Sequence, residues 1–288
     1  MINFLKYKWL YFFCSAVAMS LGLFSIFKWG YRYSIDFVGG TNLEYQIDKK
    51  LSRQDLENFF KAKKITINEI KLTGNILLVR TNPLSGKTEK ELIAGLEKEL
   101  RIKVNVLRSE TVGPVLGRET LIKTIVASLL ALLGILIYMS FAFKDIRFAL
   151  AAITAMFHDF LVVIGSYSLM SHFFGAQMDL LFVTAVLTTM SFSVHDTIVI
   201  FDKIREYTQF EERRDIEYFA NRALTETMVR SVNNSMTIIF MLFALVLLGG
   251  ETIKFFVATL LIGTITGTYS SPFVATPLVV WMEKRKKS

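Results

Sequence analysis

The chain has 288 residues, of which 52% are hydrophobic and 13% aromatic, with a mean hydropathy of +0.44 and a formal net charge of +8. This composition is too apolar for an ordinary soluble domain. Lys and Arg cluster at the ends of apolar runs and not on a basic face with interleaved aromatics, so the charge indicates membrane topology and not nucleic-acid binding. The single cysteine, Cys14, predicts no intrachain disulfide and no metal cluster.

Six apolar runs are long enough to cross a bilayer, which takes about 20 residues. They cover residues 9–29, 121–143, 148–173, 180–201, 232–249 and 255–281. The last two contain Asn, Thr and Pro residues, which are tolerated where helices face protein or trapped water. The sequence therefore predicts a polytopic α-helical membrane protein with six transmembrane helices.

The first span resembles a secretory signal, because it follows the basic residues Lys6 and Lys8 and contains a small-x-small site. Ala16 and Ala18 offer a small-x-small cleavage site, but cleavage there would leave the apolar residues 19–27 on the mature protein. We therefore predict an uncleaved signal anchor, so that residues 1–30 form the N-terminus and the first transmembrane helix.

Residues 31–120 contain no run long enough to cross the membrane and predict one small α+β domain. Alternating apolar residues predict a strand in GTNLEYQI, a hairpin around Gly74 and a last strand in KVNVLRSETV. Two amphipathic segments, capped at Ser52 and near Thr88, predict helices between these strands. The order βαββαβ is that of a ferredoxin-like fold, which occurs with many unrelated functions and does not indicate an activity.

The distribution of Lys and Arg predicts the orientation of the spans. Positive residues occur in segments 1–8, 144–147, 202–230 and 283–288, whereas residues 171–179 have none and residues 249–254 have one. Both termini are therefore predicted to be cytoplasmic and the domain at residues 31–120 to be exported. Residues 121–288 then hold helices two to six and a basic cytoplasmic tail. The mixed-charge segment 202–224 predicts an interfacial helix along the inner surface.

An acid lies near the end of the fourth span, in SFSVHDTIVIFDKIRE. If the span ends at residue 201, Asp196 is about 7–8 Å deep at 1.5 Å per residue. An ionised carboxylate in a span costs at least about 2.5–3.5 kcal/mol, so it usually faces a cavity or a partner. Alternatively, Asp196 is neutral or reaches the inner surface among Ser191, Ser193 and Thr197. His195 points about 100° away around the helix, and both a structural and a proton-relaying role stay open for it.

A cation and a second acid occur on neighbouring spans. Arg230, at the start of the fifth span, is predicted to lie at the depth of Asp196, where pairing would lower the cost of both charges; alternatively, it reaches the headgroups. His158 and Asp159 lie in the middle of the third span. These groups predict a proton path, whose candidate residues are Asp196, Arg230, His195, Asp159 and His158. The sequence has no nucleophile elbow and no phosphate loop, so catalysis is not predicted.

Three motifs carry a resemblance to a known family. YSIDFVGGTNLEY after the first span, SETVGPVLGRE before the second and SFSVHDTIVIFDKIRE in the fourth resemble the SecF family of protein-export membrane proteins, within the resistance-nodulation-division superfamily. The resemblance covers almost the entire chain, and the short exported region is similar to SecF and not to SecD. The candidate hinge and motif residues are Asp36, Phe37, Gly39, Gly40, Gly113, Pro114 and Gly117.

The resemblance implies a function and partners. SecF-like chains pair with SecD in the bacterial cytoplasmic (inner) membrane and use the proton-motive force to help the SecYEG channel move preproteins. YajC is a further implied partner, and no cofactor is implied. By position, the family's intramembrane aspartate falls on Asp196 and its arginine on Arg230. His195 departs from the asparagine common in the family, either as a neutral substitute or as a residue that shifts the pH of proton binding.

The resulting hypothesis is that Asp196 takes a proton from outside and releases it inside while its pairing with Arg230 breaks and re-forms. The motion would pass through the first span and the Gly39–Gly40 hinge to the exported sheet. Asp196 and nearby hydroxyls suit sodium as well as a proton, and His195 favours the proton. Two rival functions stay open: an exporter half of the same superfamily that moves a small molecule or lipid, and an assembly factor that transduces no energy.

Overall fold

The computed structural model of the chain describes residues 2–49, 51–143, 145–210 and 215–287. Lys144, Arg213 and Arg214, which contribute to the predicted charge distribution, lie outside these residues. The chain divides into two compact units, one formed by Tyr33–Val126 and the other by Met1–Arg32 with Ala127–Ser288. Six helices are long and apolar enough to cross a membrane, which confirms the prediction of a polytopic helical membrane protein.

The smaller unit is built around a four-stranded sheet. Its strands are β2 (Gly40–Ile47), β3 (Ile67–Thr73), β4 (Ile76–Thr81) and β5 (Val104–Val112), and they follow the short strand β1 (Arg32–Tyr33) and the one-turn helix α2 (Ile35–Val38). Helices α3 (Arg53–Ala62) and α4 (Gly86–Glu99) connect the strands in the order βαββαβ. The strands are arranged β3-β4-β2-β5, with every neighbouring pair antiparallel.

Side-chain caps and an apolar core explain why this unit folds. Ser52 accepts a hydrogen bond from the Asp55 N–H at the start of α3, as predicted. Helix α4 is capped by Ser85 and not by Thr88, whose N–H donates to the Ser85 hydroxyl at 3.2 Å. The alternating residues of β2 and β4 face the two helices and bury a common core, which includes Leu43, Tyr45, Leu56, Phe60, Leu77, Val79, Leu92 and Leu96.

The larger unit contains the membrane helices, except for the first part of the second span, residues 114–126, which belongs to the smaller unit. The helix α1 (Lys8–Trp29) follows a 3₁₀ turn at Phe4–Tyr7, and the later elements are α5 (Pro114–Ala142), α6 (Ile146–Phe174), β6 (Gln177–Met178), α7 (Leu180–Phe210), α8 (Ile216–Leu248) and α9 (Glu251–Ser270). A π-helical turn, Ser271–Ala275, joins α9 to α10 (Thr276–Lys287), so that the sixth span is one long element. Helices α6 and α7 are the most buried spans, whereas α5 and α8 are mostly exposed.

Helices α1 and α6 approach closely because both carry glycine at the crossing. A Cβ added to Gly165 would lie 2.4 Å from the Cα of Gly22, and the hydroxyl of Ser25 donates to that of Ser168 at 2.8 Å one turn away. Small residues and interhelical hydrogen bonds are what hold helices together in a bilayer. This crossing fixes α1 against α6 and leaves the opposite face of α6 free for α7 and α9.

The predicted interfacial helix at residues 202–224 is wrong. Residues 202–210 continue α7 and residues 216–224 continue α8, and residues 211–214 lie outside the described part of the chain. The two helices continue because Ile204, Phe219 and Leu224 follow the same helical face as the apolar residues of the spans and are buried in the core.

Candidate functional site

Close packing between α7 and α9 positions the candidate site. A Cβ added to Gly263 would lie 2.2 Å from the Cγ2 of Thr189, and one added to Gly267 would lie 3.1 Å from the Cα of Ser193. The glycines are four residues apart and therefore lie on one face of α9, as the partner residues do on α7. This contact leaves Asp196, three residues after Ser193, at the border between α7, α8 and α9.

Asp196 lies in the middle of its helix and not near its end. Helix α7 extends to Phe210, so Asp196 is 14 residues from that end, or about 21 Å at 1.5 Å per residue. Arg230 is likewise 14 residues from Ile216, where α8 begins. The predicted position of Arg230 in a first helical turn is therefore wrong, whereas the depth of Asp196 in the membrane stays a prediction. The antiparallel helices nevertheless bring Asp196 and Arg230 to the same level, as predicted.

The partner of Asp196 in this structure is a serine. The Ser231 hydroxyl donates to Asp196 Oδ2 at 2.7 Å, whereas among the described residues no ion pair joins the exposed Arg230 guanidinium to a carboxylate. The Asp196 side chain is 15% exposed. His195 Nδ1 lies 4.0 Å from Asp196 Oδ1, and the imidazole is 73% exposed. The structure thus places His195 beside Asp196 and, among the described residues, pairs Asp196 with Ser231 and not with Arg230.

Asp196 and His195 line a cavity of about 270 Å³ between α7, α8 and α9. Six of the other lining residues carry hydroxyl or amide groups: Thr188, Ser191, Asn234, Ser235, Thr264 and Thr268. A carboxylate with hydroxyl and amide neighbours suits water, a proton or a small cation. Among the described residues, no group of three or more His, Cys, Asp or Glu side chains is placed to hold a metal ion.

The second acid lies outside this cavity and is buried. Asp159 is 1% exposed, as predicted, and its Oδ2 accepts hydrogen bonds from the hydroxyls of Ser193 on α7 and Ser270 on α9. His158 Nδ1 lies 2.8 Å from the other carboxylate oxygen, Oδ1. Residues from α6, α7 and α9 therefore meet at one carboxyl group.

Two hydroxyls that the sequence associates with Asp196 have other partners. Ser193 donates to Asp159, and Thr197 shares a 2.8 Å hydrogen bond with the hydroxyl of Ser271. Ser191 alone of the three lines the Asp196 cavity. Ser193 and Asp196 are three residues apart, so their side chains point in directions that differ by about 60° around α7. This difference is enough to place Ser193 in the buried core and Asp196 at the cavity.

A family profile decides the relationship of the chain to known proteins. The profile described as protein export membrane protein SecD/SecF, C-terminal, matches residues 93–285. The chain belongs to the SecD/SecF family of protein-export membrane proteins. This result confirms the resemblance predicted from the three motifs.

Individual SecF relatives match along their whole length. The protein translocase subunit SecF of Thermobaculum terrenum is 38% identical, with 99% of this chain and 95% of the relative covered. That of Anaerolinea thermophila is 37% identical, with 98% and 94% covered. The prediction of a SecF-type protein translocase subunit is therefore confirmed, and the comparisons do not support the small-molecule or lipid exporter.

A solved structure of a fused SecDF is also similar. The crystal structure of SecDF, a translocon-associated membrane protein from Thermus thermophilus, has a TM-score of 0.86 and 32% sequence identity. The match covers 99% of this chain but 39% of the SecDF chain. The chain thus corresponds to the SecF-like part of a longer fused protein.

The SecF motif residues on either side of β2 and β5 lie together in the smaller unit. Gly39 has a φ of +78°, and a Cβ there would lie 2.7 Å from the Cα of Pro114. A Cβ on Gly117 would lie 2.8 Å from the Gly39 nitrogen. Phe37 is buried, and Asp36 lies in the first turn of α2, where its N–H donates to the Ser34 hydroxyl. The glycines therefore permit close backbone packing, and their role as a hinge stays a prediction.

Gly40 and Gly113 differ in how they are constrained. Gly40 has a φ of +138°, and a Cβ would lie 2.9 Å from the Thr81 carbonyl oxygen. Gly113 has open space around its Cβ position. Of the glycines in this SecF motif, Gly113 is the one that the packing does not require.

Sequence reasoning did not identify three residues of the site in this SecF-type chain: Ser231, Ser270 and Gly267. Ser231 is adjacent to Arg230, which the sequence favoured as the partner of Asp196. Neighbouring residues of a helix point about 100° apart, so only one of the two can face Asp196. For Gly267 a signal was present, because GTITG at residues 263–267 is a GxxxG motif in an apolar helix. Nothing in the sequence links Ser270 to Asp159, which is 111 residues away.

Proposed function

We propose that this chain is the SecF-type subunit of a SecD/SecF complex in the bacterial inner membrane and uses the proton-motive force to assist preprotein movement through SecYEG. The observation that carries the proposal is Asp196, a carboxyl group in mid-helix that faces a polar cavity with Arg230 at the same level. Intramembrane carboxylates of this kind usually act in ion pathways. The fused SecDF relatives of Thermus thermophilus and Bacillus subtilis support SecD as the partner.

We further infer the topology. Six spans, an even number, return the chain to its starting side, and the Lys and Arg distribution favours a cytoplasmic location for both termini. Residues 1–30, 31–120 and 121–288 then form the first helix, an exported domain and the remaining helices with the basic tail. The antiparallel strand order β3-β4-β2-β5 supports a ferredoxin-like fold for the exported domain.

The mechanism follows from two alternative partners of Asp196. The hydrogen bond from Ser231 supports a state in which Asp196 is not paired with Arg230. Consecutive residues of a helix are about 100° apart, so exchange of Ser231 for Arg230 requires α8 to rotate or shift against α7. Protonation removes the negative charge that attracts the guanidinium, and release of the proton restores it. One proton that crosses the membrane supplies about 2.3 kcal/mol per 100 mV for this motion.

We propose the proton and not sodium as the coupling ion. His195 lies 4.0 Å from Asp196 and is exposed at the cavity, where it can exchange protons with water. In the same proposal His158 and Asp159 belong to the proton path, and Gly39 and Gly40 transmit movement toward the sheet. SecYEG binds the complex, YajC associates with it, and a preprotein is the substrate.

The Asp196→Asn variant tests the proposal. In cells whose only copy carries this substitution, preprotein maturation in a pulse-chase is expected to stall, because an amide cannot gain or lose the coupling proton. Asp202→Asn is the matched control: this carboxyl lies on the same helix, is 63% exposed and lies 3.5 Å from Arg205. The control variant is expected to support normal export.

Membrane levels of the chain and copurification of SecD are measured beside the export rate. Stalled export with normal levels and normal association identifies Asp196 as an energy-coupling residue. A normal export rate in Asp196→Asn contradicts the proposal and favours the assembly factor. Failure of SecD to copurify with the unaltered chain contradicts the assignment of the partner.

A further inference from the structure

The Asp159 carboxyl group joins three helices at a buried point. It lies 13 residues from the start of α6 and 15 from its end, near the middle of the helix. Its Oδ2 accepts from Ser193 on α7 and, at 2.6 Å, from Ser270 on α9. Two hydroxyl donors on one oxygen require an acceptor with free lone pairs, which an ionised carboxylate provides. A neutral carboxyl group can make the same two contacts only if its proton lies on the other oxygen, Oδ1.

The other side of the carboxyl group is occupied by an incompletely bonded histidine. His158 Nδ1 lies 2.8 Å from Asp159 Oδ1, whereas the buried Nε2 has no hydrogen-bond partner among the described residues. A proton on Nε2 would be a buried N–H without an acceptor, whereas a proton on Nδ1 is donated to Asp159 Oδ1. The unbonded Nε2 therefore favours the neutral imidazole with its proton on Nδ1, which leaves the negative charge of Asp159 without a balancing cation. Such a carboxylate is suited to gain a proton.

The two serines do not respond equally when Asp159 gains a proton. Because Oδ1 accepts from the imidazole N–H, the added proton lies on Oδ2, which then becomes a donor and can no longer accept from both hydroxyls. Ser270 has a second acceptor, because its hydroxyl is 3.3 Å from the Gly267 carbonyl on its own helix. Among the described residues, Ser193 Oγ donates to Asp159 alone. Ser270 is therefore the donor that leaves.

We propose that Asp159 is a second proton-binding site, in which protonation of the carboxylate transfers the Ser270 hydroxyl from Asp159 to the Gly267 carbonyl and loosens α9 from α6. The proton comes from the aqueous phase, adds to the carboxylate and removes its negative charge. The role of this site in export rests on the proposed function above, because it presupposes that proton movement drives the complex.

The distances favour a proton over a metal ion at Asp159. Ser270 Oγ lies 2.6 Å from Asp159 Oδ2, which is a direct hydrogen bond and leaves no space for a cation between the two oxygens. Asp196 differs in that it opens on a cavity of about 270 Å³. Asp159 is thus the enclosed site and Asp196 the cavity-lining site of the same group of helices.

The released segment is adjacent to the cavity and to an irregular turn. Gly267, whose carbonyl receives the Ser270 hydroxyl, also lines the Asp196 cavity. Directly after Ser270, the π-helical turn Ser271–Ala275 interrupts the α-helical hydrogen bonding, and π turns occur frequently at functional sites. A change at Ser270 therefore alters both a wall of the cavity and a deformable part of the span.

Few other ionisable groups surround Asp159 in the described structure. On α6 its neighbour is His158, and on α9 the Tyr269 ring faces His158 at a centroid distance of 6.4 Å. From α1, the Tyr11 carbonyl accepts from the Tyr269 hydroxyl, and Cys14 lies near the same group. On α7 the ionisable groups within one turn of Ser193 are His195 and Asp196, which line the cavity, and Glu283 of α10 pairs with Arg147 near the start of α6. A pH response at this point is therefore assigned to Asp159 and His158.

Infrared difference spectroscopy of the full-length chain in lipid nanodiscs tests the site. Between alkaline and acidic pH, a protonated carboxyl group adds a C=O stretching band that a carboxylate lacks. We expect Asp159→Asn to remove one such band and Asp196→Asn to leave that band in place. Ser270→Ala is expected to shift its frequency and its pH midpoint. The matched control is Thr259→Val, which removes a buried hydroxyl of α9 that bonds only to the Phe255 carbonyl.

Hydrogen exchange of α9 amides in the same samples tests the release of Ser270. Exchange is expected to become faster as the band of Asp159 appears, and to be fast at every pH in Ser270→Ala but not in Thr259→Val. If Asp159→Asn removes no band, the proton site is refuted. If the band is present but α9 exchange follows neither pH nor Ser270→Ala, the release step is refuted.

These outcomes are independent of the export assay. Normal export in Asp196→Asn together with the expected infrared result refutes the proposed function and leaves the proton site in place. If Asp159→Asn fails to fold, the proton site is tested by comparing Ser270→Ala with Thr259→Val. A shift of the C=O stretching frequency in Ser270→Ala but not in Thr259→Val requires a protonated Asp159. Absence of that shift overturns the inference.

Discussion

Asp159 and Asp196 are both carboxyl groups in the middle of a membrane helix, yet their surroundings differ. Asp159 is enclosed by two serines and a histidine, and Asp196 has one serine and an open cavity. Asp196 lines a cavity, whereas Asp159 is 1% exposed. Under the two proposals above, we therefore expect rapid proton exchange at Asp196 and a conformational change coupled to proton binding at Asp159.

Tyr45 gives a prediction at the residue scale for the smaller unit. It is fully buried, and its hydroxyl has no hydrogen-bond partner among the described residues. Burial raises the pKa of Tyr45 above its ordinary value of 10.0, and the Glu89 carboxylate adds to the rise. The folded state therefore holds the proton more tightly than the unfolded state, and this contribution to the free energy of unfolding is present at neutral pH and is lost as pH rises above 10.

Tyr45→Phe is expected to remove this loss at high pH. Because the substitution also deletes a buried unpaired hydroxyl, it is expected to stabilise the unit by about 1 kcal/mol. Pulse proteolysis of the full-length chain at stepped pH, read as cleavage within residues 40–112, measures both effects. Tyr33→Phe, at an exposed tyrosine of the same unit, is the control. Parallel loss of stability in the Tyr45→Phe variant and the unaltered chain would contradict the assignment.

At the scale of elements, glycine contacts decide which helices and strands can approach. The α1–α6 crossing at Gly22 and Gly165 and the α7–α9 contact at Gly263 and Gly267 both place backbones closer than a side chain allows. In a bilayer such contacts replace the hydrophobic effect as the basis of helix association. The spacing of small residues therefore defines the framework that holds both acids.

Gly117 and Gly113 give a prediction at this scale. A Cβ in Gly117→Ala would lie 2.8 Å from the Gly39 nitrogen and 3.1 Å from the Phe37 carbonyl carbon, and backbone atoms cannot move aside cheaply. We expect a loss of roughly 1–3 kcal/mol in the stability of the smaller unit. Gly113→Ala, in open space four residues earlier, is expected to be tolerated. The same pulse proteolysis compares the two variants, and equal stabilities would show that this contact is unimportant.

For the whole molecule, the two ends of the chain are expected on one side of the membrane. In a Cys14→Ser background, Lys61→Cys in the smaller unit is expected to react with a membrane-impermeant maleimide added to intact spheroplasts. Gln209→Cys, near the end of α7, is expected to react only after permeabilisation, because six spans and the positive-inside pattern put it in the cytoplasm. Both positions are exposed in the structure. Reaction of Gln209→Cys in intact spheroplasts contradicts this topology.

The sequence predicted the number of spans and the order of the small unit because both depend on local patterns, apolar length and alternation. It misplaced the end of α7 and the start of α8, because the apolar run was taken to end before the charged residue Asp202. The buried face of these helices continues beyond that point and includes Ile204 and Phe219. It placed Asp196 and Arg230 at one level but could not decide between Arg230 and Ser231, because helix phase depends on packing. Hydrogen bonds between distant residues, such as Ser270 with Asp159, have no local pattern at all.

The length of α7 has a mechanical consequence. Its 31 residues run without interruption, contain no Gly or Pro and have His195 as their midpoint, one residue before Asp196. At 1.5 Å per residue the rod is about 46 Å long, so a tilt of about 5° about its centre would displace each end by about 2 Å, in opposite directions. Asp196 therefore lies close to the centre of the helix, and under the proposed mechanism a proton-driven tilt of α7 would move the two ends of the helix in opposite directions.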